Sequence, residues 1–411
     1  MKHSNYWFET CPTKCHNGVG FVKNVDVLVI GGGIAGISTL FHLVRGGVTN
    51  AYLLEEATVG YHASGRASGQ LMLRGHELFV ELAERLGEGA AEEYLRFSAL
   101  NIRKFTSALT RTKFDTDLVQ GGGLRLATTP EELELLRRES AFINDLAKET
   151  GVKCIDLTEA EVRSLLPSKG FLGGIYLPCE ATVNPYKIVN GTRDLLETSG
   201  ARVLTNSCVE SVDRNDDGSL SVSIRHKGVI NAKKVVYCMN AYSSGLLPEL
   251  KDKFTPCRGQ MVATDILPKS AIEALPTMSV SCNNGSDYFR THGGRLLFGG
   301  QRQNVRGQQE GIIYDGEISQ TVFKRQKEFL QNHLPFIDAK FTHVWSGIMC
   351  LTEDRMPLVG ELPGRENEFI AAGFNGYGVS HAFTAGMIVR DKILKGESLL
   401  PGAALFDPKR R

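Results

Sequence analysis

The stretch VDVLVIGGGIAGISTLFHLVRGGVTNAYLLEE, Val25 to Glu56, decides the fold. Val25 to Ile30 is a run rich in β-branched side chains, with Asp26 its one polar residue, as a strand buried on both faces requires. Gly31 to Gly33 break it, a helical pattern runs from Ile34 until Gly46-Gly47 stops it, and Ala51 to Leu54 reads as a second buried strand. Residues 25–44 are apolar enough to suggest a membrane span, but three consecutive glycines, with Asp26 and His42 near the ends, favour strand, turn and helix. Gly31, Gly33 and Gly36 fit G-x-G-x-x-G: the first permits a tight turn, the second lets backbone approach a pyrophosphate, and the third lets helix pack on strand. The helix N-terminus adds free N–H groups and positive potential. Glu55 ends the second strand about 20 residues on, placed to accept from ribose hydroxyls, and its charge argues against a 2′-phosphate. NAD and FAD both satisfy this unit.

The next segment separates them. Ser64-Gly65-Arg66-Ala67-Ser68-Gly69-Gln70 follows the second strand, where an extended dinucleotide continues from its pyrophosphate. Small residues there permit backbone approach and Arg66 offers charge neutralisation; a flexible solvent loop is the alternative. Further on, Leu78, Leu82, Leu86, Tyr94, Phe97 and Leu100 recur at helical spacing and predict one or two amphipathic helices from Glu77 to Leu109. Thr129-Pro130-Glu131-Glu132 and Thr158-Glu159-Ala160-Glu161 carry the capping-box signature. From Arg202 to Met239 the pattern predicts a three-strand meander, with turns at Asn215-Asp216-Asp217-Gly218 and His226-Lys227-Gly228. A helix over 317–332, a strand from Phe369 to Ala372 and a last helix from Ser380 to Leu394 complete the chain. Gly373-x-x-Gly376-x-Gly378 joins the last two, and such a turn presents N–H groups suited to developing negative charge. A tight structural turn is its other reading.

Composition limits the function classes. Forty-seven Lys+Arg against 46 Asp+Glu leave a formal charge of +1, so no global field recruits nucleic acid or anionic membrane. At 411 residues and 42% hydrophobic content the chain supports two domains with real cores. MKHSNYWFET lacks the apolar core of a signal peptide. Nine scattered cysteines are unlike a small disulfide framework and predict a reducing, cytoplasmic setting. Cys11, Cys15 and His16 form C-x-x-x-C-H, one residue off the haem-attachment spacing, and no second ligand pair follows at zinc spacing; a surface arm without metal is the preferred reading.

Seven segments, VIGGGIAG (29–36), LLEE (53–56), ASGRASGQL (63–71), VESV (209–212), DYFRTHGGRLLFGG (287–300), WSGIMCLTEDRMPLVG (345–360) and GFNGYGVSHAFTAG (373–386), recur in order over nearly the whole chain. In this the chain resembles the D-amino acid oxidase-like (DAO) family of FAD-dependent oxidoreductases. The resemblance implies FAD lying extended on the first domain, cradled by Gly31, Gly33, Ile34, Ala35 and Gly36, with Glu55 on the ribose and the Val209 backbone near adenine. It sets Ser64, Arg66 and Gln70 against pyrophosphate and flavin, and Gly373, Gly376, Tyr377, Gly378 and Val379 by the flavin N1 and C2 carbonyl. Tyr288 and Arg290 match positions that reach the flavin face, where a guanidinium fork binds a substrate carboxylate; for Arg290 a surface ion pair is the alternative. In one branch of the family a histidine before Ala-Ala-Gly is joined covalently to the flavin. His62, before Ala63-Ser64-Gly65, falls on that position, against a histidine with only local hydrogen bonds. The loop Thr352 to Pro357 reads as structural, with Asp354 and Arg355 in a local ion pair, and His381 as a half-buried helix residue.

The expected molecule is α/β with an α+β roof. A Rossmann-like FAD-binding domain is drawn from residues 1–75, 160–253 and 341–411, and a second, antiparallel-sheet substrate domain from 76–159 and 254–340. The resemblance implies oxidation of the C–N bond of an amino acid or amine, the imine being hydrolysed and electrons passing to oxygen or a carrier. The rivals are a 2-hydroxy-acid dehydrogenase on the same scaffold, an NAD-dependent dehydrogenase, which leaves residues 373–378 unexplained, and a flavin-holding assembly or electron-transfer subunit. No metal is expected.

Overall fold

A computed structural model describes residues 3–12 and 23–410. Cys15 and His16, and with them the C-x-x-x-C-H reading, lie outside the described residues. The strand Asn24–Ile30 is the centre of an eight-stranded sheet. It pairs in parallel with Gly228–Tyr237 on one side and Ala51–Leu54 on the other. Arg202–Leu204 and Glu368–Ala372 extend the parallel arrangement outward, and Leu358–Glu361 closes one edge antiparallel. Both faces of the central strand are covered from Val27 to Ile30, which is why that run is apolar without alternation. Val27 and Val29 join a core with Leu40, Leu43, Ile388 and Val389, whereas Leu28 and Ile30 join one with Tyr237 and Ile370.

The predicted meander begins later than expected. Val209–Arg214, Leu220–Ile224 and Gly228–Tyr237 form it, while Arg202–Leu204 leaves for its parallel partner. Asn206, at φ 51°, turns the chain between the two. The helix Phe79–Leu86 is separated from Glu88–Thr110 by Gly87 at φ 90°. Thr158 and Glu161 form a reciprocal capping box, but Glu132 reaches back to the Thr128 N–H rather than to Thr129. The last helix, Gly378–Lys395, starts two residues before the predicted Ser380.

A second sheet of eight strands roofs the first, in the order Phe341–Thr352, Phe254–Thr264, Arg295–Gly299, Asp287–His292, Ser279–Cys282, Gly123–Ala127, Gly173–Leu177, Ile155–Thr158. It is antiparallel except where Ser279–Cys282 runs parallel to Gly123–Ala127, a departure from the antiparallel expectation. The expected domain boundaries also shift. Phe341–Thr352 pairs along its length with Phe254–Thr264, and Gly173–Leu177 pairs with Gly123–Ala127, so both belong to the roof sheet rather than with the cofactor segments. Among the described residues no helix is long and apolar enough to cross a membrane.

The helices Ile34–Arg45 and Gly378–Lys395 pack on the same side of the first sheet. Gly386 makes this possible: a Cβ there would come 2.9 Å from the Ser38 carbonyl carbon and the Thr39 nitrogen. The first and last glycine-rich turns are thereby brought to one place.

Candidate active site

Between the two sheets lies a cavity of about 410 Å³. Gly33, Ile34 and Ala35, at the start of the first long helix, line it together with Gly376, Tyr377, Gly378 and Val379, at the start of the last. Two helix N-termini face one space, and each favours negative charge. The Ile34 N–H donates to Ser64 Oγ at 2.9 Å, which ties the loop 63–70 to the first of them. Gly36 meets the Gly31 carbonyl so closely that a Cβ would sit 1.8 Å from its oxygen, so helix and strand pack as the motif requires. At the other end Asn375, at φ 53°, accepts from the Thr352 N–H and donates to the Gly373 carbonyl, both at 2.8 Å, which locks the second turn. The roof contributes Gln260, Met261, Tyr288, Trp345 and Met349. Gly259 and Gly347 are cross-strand partners and both line the cavity, leaving bare backbone where a flat ring can lie.

A family model described as FAD-dependent oxidoreductase, DAO, matches residues 26–392. The chain belongs to the DAO family. This flavoenzyme is 26% identical over 381 residues to gamma-glutamylputrescine oxidoreductase of Escherichia coli K12, covering 91% of this chain and 84% of that one. It is 25% identical over 399 residues to the mitochondrial dimethylglycine dehydrogenase of Rattus norvegicus, where it covers 90% of this chain but spans only 43% of the relative. The crystal structure of L-proline dehydrogenase from P. horikoshii superposes with a TM-score of 0.81 at 20% identity, covering 95% of this chain and 98% of that one.

The residues present fit FAD. Gly378 is the plainest sign, because a Cβ there would meet nothing closer than 3.8 Å, so protein packing does not demand glycine. A flat ring lying against this helix start would. Of the residues singled out from sequence, Gly33, Ile34, Ala35, Ser64, Arg66, Gln70, Tyr288, Gly376, Tyr377, Gly378 and Val379 line the cavity. Gly31, Gly36 and Gly373 shape the turns behind it. Glu55 is buried, accepting from the Gly32 N–H at 2.7 Å and the Ala57 N–H at 2.9 Å, and Val209 opens an outer strand of the meander; neither lines the cavity.

Three expectations are corrected, and His62 makes the local hydrogen bonds of its alternative reading. Arg290 shares a strand face with Tyr288 but lies two residues on, roughly 7 Å along the strand, and does not line the cavity. It is 2% exposed, and its Nη1 donates to the carbonyls of Val183 at 2.7 Å and Gly69 at 3.2 Å. Burial lowers its pKa to about 10. It holds the 68–69 loop rather than a ligand. Arg66 lines the cavity, but its guanidinium is engaged by the protein, donating to the carbonyls of Tyr61 and Ser346 beside Asp315. His62 lies outside the lining, with Nε2 2.8 Å from Glu56 and Nδ1 3.2 Å from Asp315. Burial opposes its charge, but the hydrogen bonds to Asp315 and Glu56 outweigh this and raise its pKa to about 9. Asp354 pairs with Arg410, not Arg355, and Arg355 lines the cavity.

His381 is fully buried rather than half-buried, and burial lowers its pKa to about 3. Sequence reasoning missed His76, Arg302, Met261 and Met349. Only Arg302 carried a signal, a cation two residues beyond the Gly299-Gly300 strand end. Burial and the neighbouring Arg355, Arg74 and Arg302 lower the His76 pKa to about 4, which keeps it neutral. Among the described residues no group of acidic, histidine and cysteine side chains is arranged to hold a metal.

Proposed function

We propose that this flavoenzyme oxidises the C–N bond of an amine or amino acid. The observation that carries this reading is a single cavity in which two helix N-termini face a roof of Tyr288, Gln260 and Met261 across the bare Gly259–Gly347 backbone. FAD, when bound, takes up the hydride that leaves the carbon bearing nitrogen. The chain's residues bind, orient and exclude water. Gly33 to Ala35 and Ser64 would hold the pyrophosphate in a Rossmann-type cradle, and the N-terminus of Gly378–Lys395 would stabilise negative charge on the ring. Met261, Met349 and Trp345 would keep the reacting carbon dry. The substrate loses a hydride and a proton to become an imine, which water hydrolyses to a carbonyl compound and an amine. The relatives named above include enzymes of amines and amino acids, which supports this over oxidation of a 2-hydroxy acid. The isolated cysteines support a reducing compartment, the cytoplasm.

The test is anaerobic mixing of the holoenzyme with panels of amines, amino acids and 2-hydroxy acids, followed at the flavin visible band. Bleaching by members of the first two panels alone is expected. Bleaching only by hydroxy acids would replace the reading, and no bleaching by any compound would favour an assembly or electron-transfer subunit.

A further inference from the structure

His76 is half-buried and is the one imidazole among the described residues that line the cavity. Its one hydrogen bond among those residues is to the Asn375 backbone. The donor to that carbonyl is a ring N–H, so the second ring nitrogen is an acceptor. Asn375 is itself locked, at φ 53°, by its bonds to Thr352 and Gly373 in the turn that leads into Gly378–Lys395. The imidazole is thereby held beside the helix end proposed to face the flavin ring.

Its surroundings keep the ring an acceptor. Burial opposes protonation, and Arg355 in the turn after Phe341–Thr352, Arg74 two residues before it and Arg302 beyond the strand Arg295–Gly299 add to this, so its pKa falls to about 4. Other polar side chains of the lining are already engaged. Ser64 Oγ accepts from the Ile34 N–H at 2.9 Å, Gln260 Oε1 from the Ser319 N–H at 2.8 Å and Asn240 Oδ1 from the Gly373 N–H at 3.1 Å. Glu310 also lines the cavity, but it is exposed to solvent.

Hydride leaves carbon only when the nitrogen lone pair is free to form the C=N bond, so the reacting nitrogen is uncharged. An uncharged primary or secondary amine keeps an N–H to donate, and an uncharged tertiary amine has none. As the C–H bond breaks and its electron pair passes to FAD, the nitrogen gains positive charge and its N–H becomes a stronger donor. The proton stays on the iminium nitrogen until water attacks. A bond from that N–H to a neutral imidazole therefore strengthens towards the transition state, and such a bond accelerates the step.

Resting on the amine-oxidation reading and deepening it, we infer that His76 accepts the N–H of the reacting nitrogen, so that the substrate is a primary or secondary amine and tertiary amines are selected against.

The test uses pairs of reductants that differ by one N-methyl group, N-methylglycine with N,N-dimethylglycine and proline with N-methylproline, and compares their second-order rate constants for anaerobic bleaching of the holoenzyme. The N–H member of each pair is expected to react about ten- to a hundredfold faster, the range for a hydrogen bond to a charged partner. His76→Ala should bring the ratio close to one with flavin content unchanged, and His76→Gln, which keeps an acceptor, should restore part of it. A ratio near one in wild type overturns the inference. So does a ratio that persists in His76→Ala while both rates fall, which is the mark of a merely structural role, or one that collapses in Glu310→Gln instead. A second arm needs neither turnover nor a variant. 2-Methylalanine and its N,N-dimethyl derivative carry no hydrogen on the carbon bearing nitrogen, and both are titrated above their ammonium pKa against the flavin visible spectrum. Tighter binding of 2-methylalanine is expected, and equal affinity, or no saturable change with either, overturns the inference. If no amine bleaches the flavin, the functional reading fails by itself, whereas bleaching by both members of each pair at equal rates removes His76 and leaves amine oxidation standing.

Discussion

Gly378 has no packing reason to be glycine, and that makes it a probe of the cofactor. It opens a helix, where alanine is favoured over glycine by roughly 0.5–1 kcal/mol, and its Cβ would have 3.8 Å of clearance. Gly378→Ala should therefore leave the apoprotein as stable or slightly more so, yet weaken FAD binding by at least tenfold, read by flavin titration beside apoprotein melting. A variant that binds FAD normally would remove the cradle argument. His62 gives a second residue-scale expectation. Both of its ring nitrogens are on carboxylates, which predicts non-covalent FAD. Acid precipitation should release the colour into the supernatant, and colour held in the pellet of wild type but not of His62→Gln would restore the tether.

Short elements at the edges of the fold do as much for the site as the glycine motifs. The single turn Tyr6–Glu9 precedes the segment that matches the family, yet Trp7 is fully buried and its Nε1 donates to the Ala67 carbonyl at 2.8 Å, while Asn5 Nδ2 donates to Gly65 at 2.7 Å. Arg290 lies under the Trp7 ring and holds the next carbonyls of the same loop. The loop beside the cofactor is thus clamped from two sides. Trp7→Ala should release it, weakening FAD affinity several-fold and raising hydrogen exchange at residues 63–70; unchanged exchange there would show the clamp to be idle. Both glycine-rich turns were legible because their signals are local, a strand run followed by glycines at fixed offsets. The clamp was not, since no pattern within NYWFET announces a contact made some sixty residues away. Arg355 was seen but paired with the wrong neighbour, because the competing cation, Arg410, lies at the far end of the chain.

For the whole molecule, the buried histidines set a pH range. Burial lowers His42 and His381 to about 3, and burial with nearby arginines lowers His76 to about 4. In the unfolded chain each titrates near 6.5, so between pH 6.5 and 4 the unfolded state binds more protons. Stability should be full above pH 6.5 and fall as the pH drops towards 4. His62 acts oppositely: its pKa is raised to about 9, so its contribution is complete below 6.5 and lost as pH rises through 9. Tm against pH should form a dome, and His62→Gln should flatten only its alkaline side. A Tm constant from pH 7 to 4.5 would contradict the first half. At this scale the α/β class was readable from the strand, glycine break and helix of residues 25–54 and the roof was implied by the family resemblance, but the exchange of strands between sheets was not legible. Phe341–Thr352 is a good strand in either sheet, and only its eleven-residue partner Phe254–Thr264 decides where it goes.

The contact between Gly386 and Ser38 carries a meaning for synthesis. One half of the cofactor seat is translated more than three hundred residues before the other, and each half is a helix end that needs the other's side chains to pack against. A growing chain therefore has its nucleotide turn long before it has a flavin seat, and any product cut short before Gly376 should emerge colourless and be held back from the stability that FAD confers by binding the native state alone.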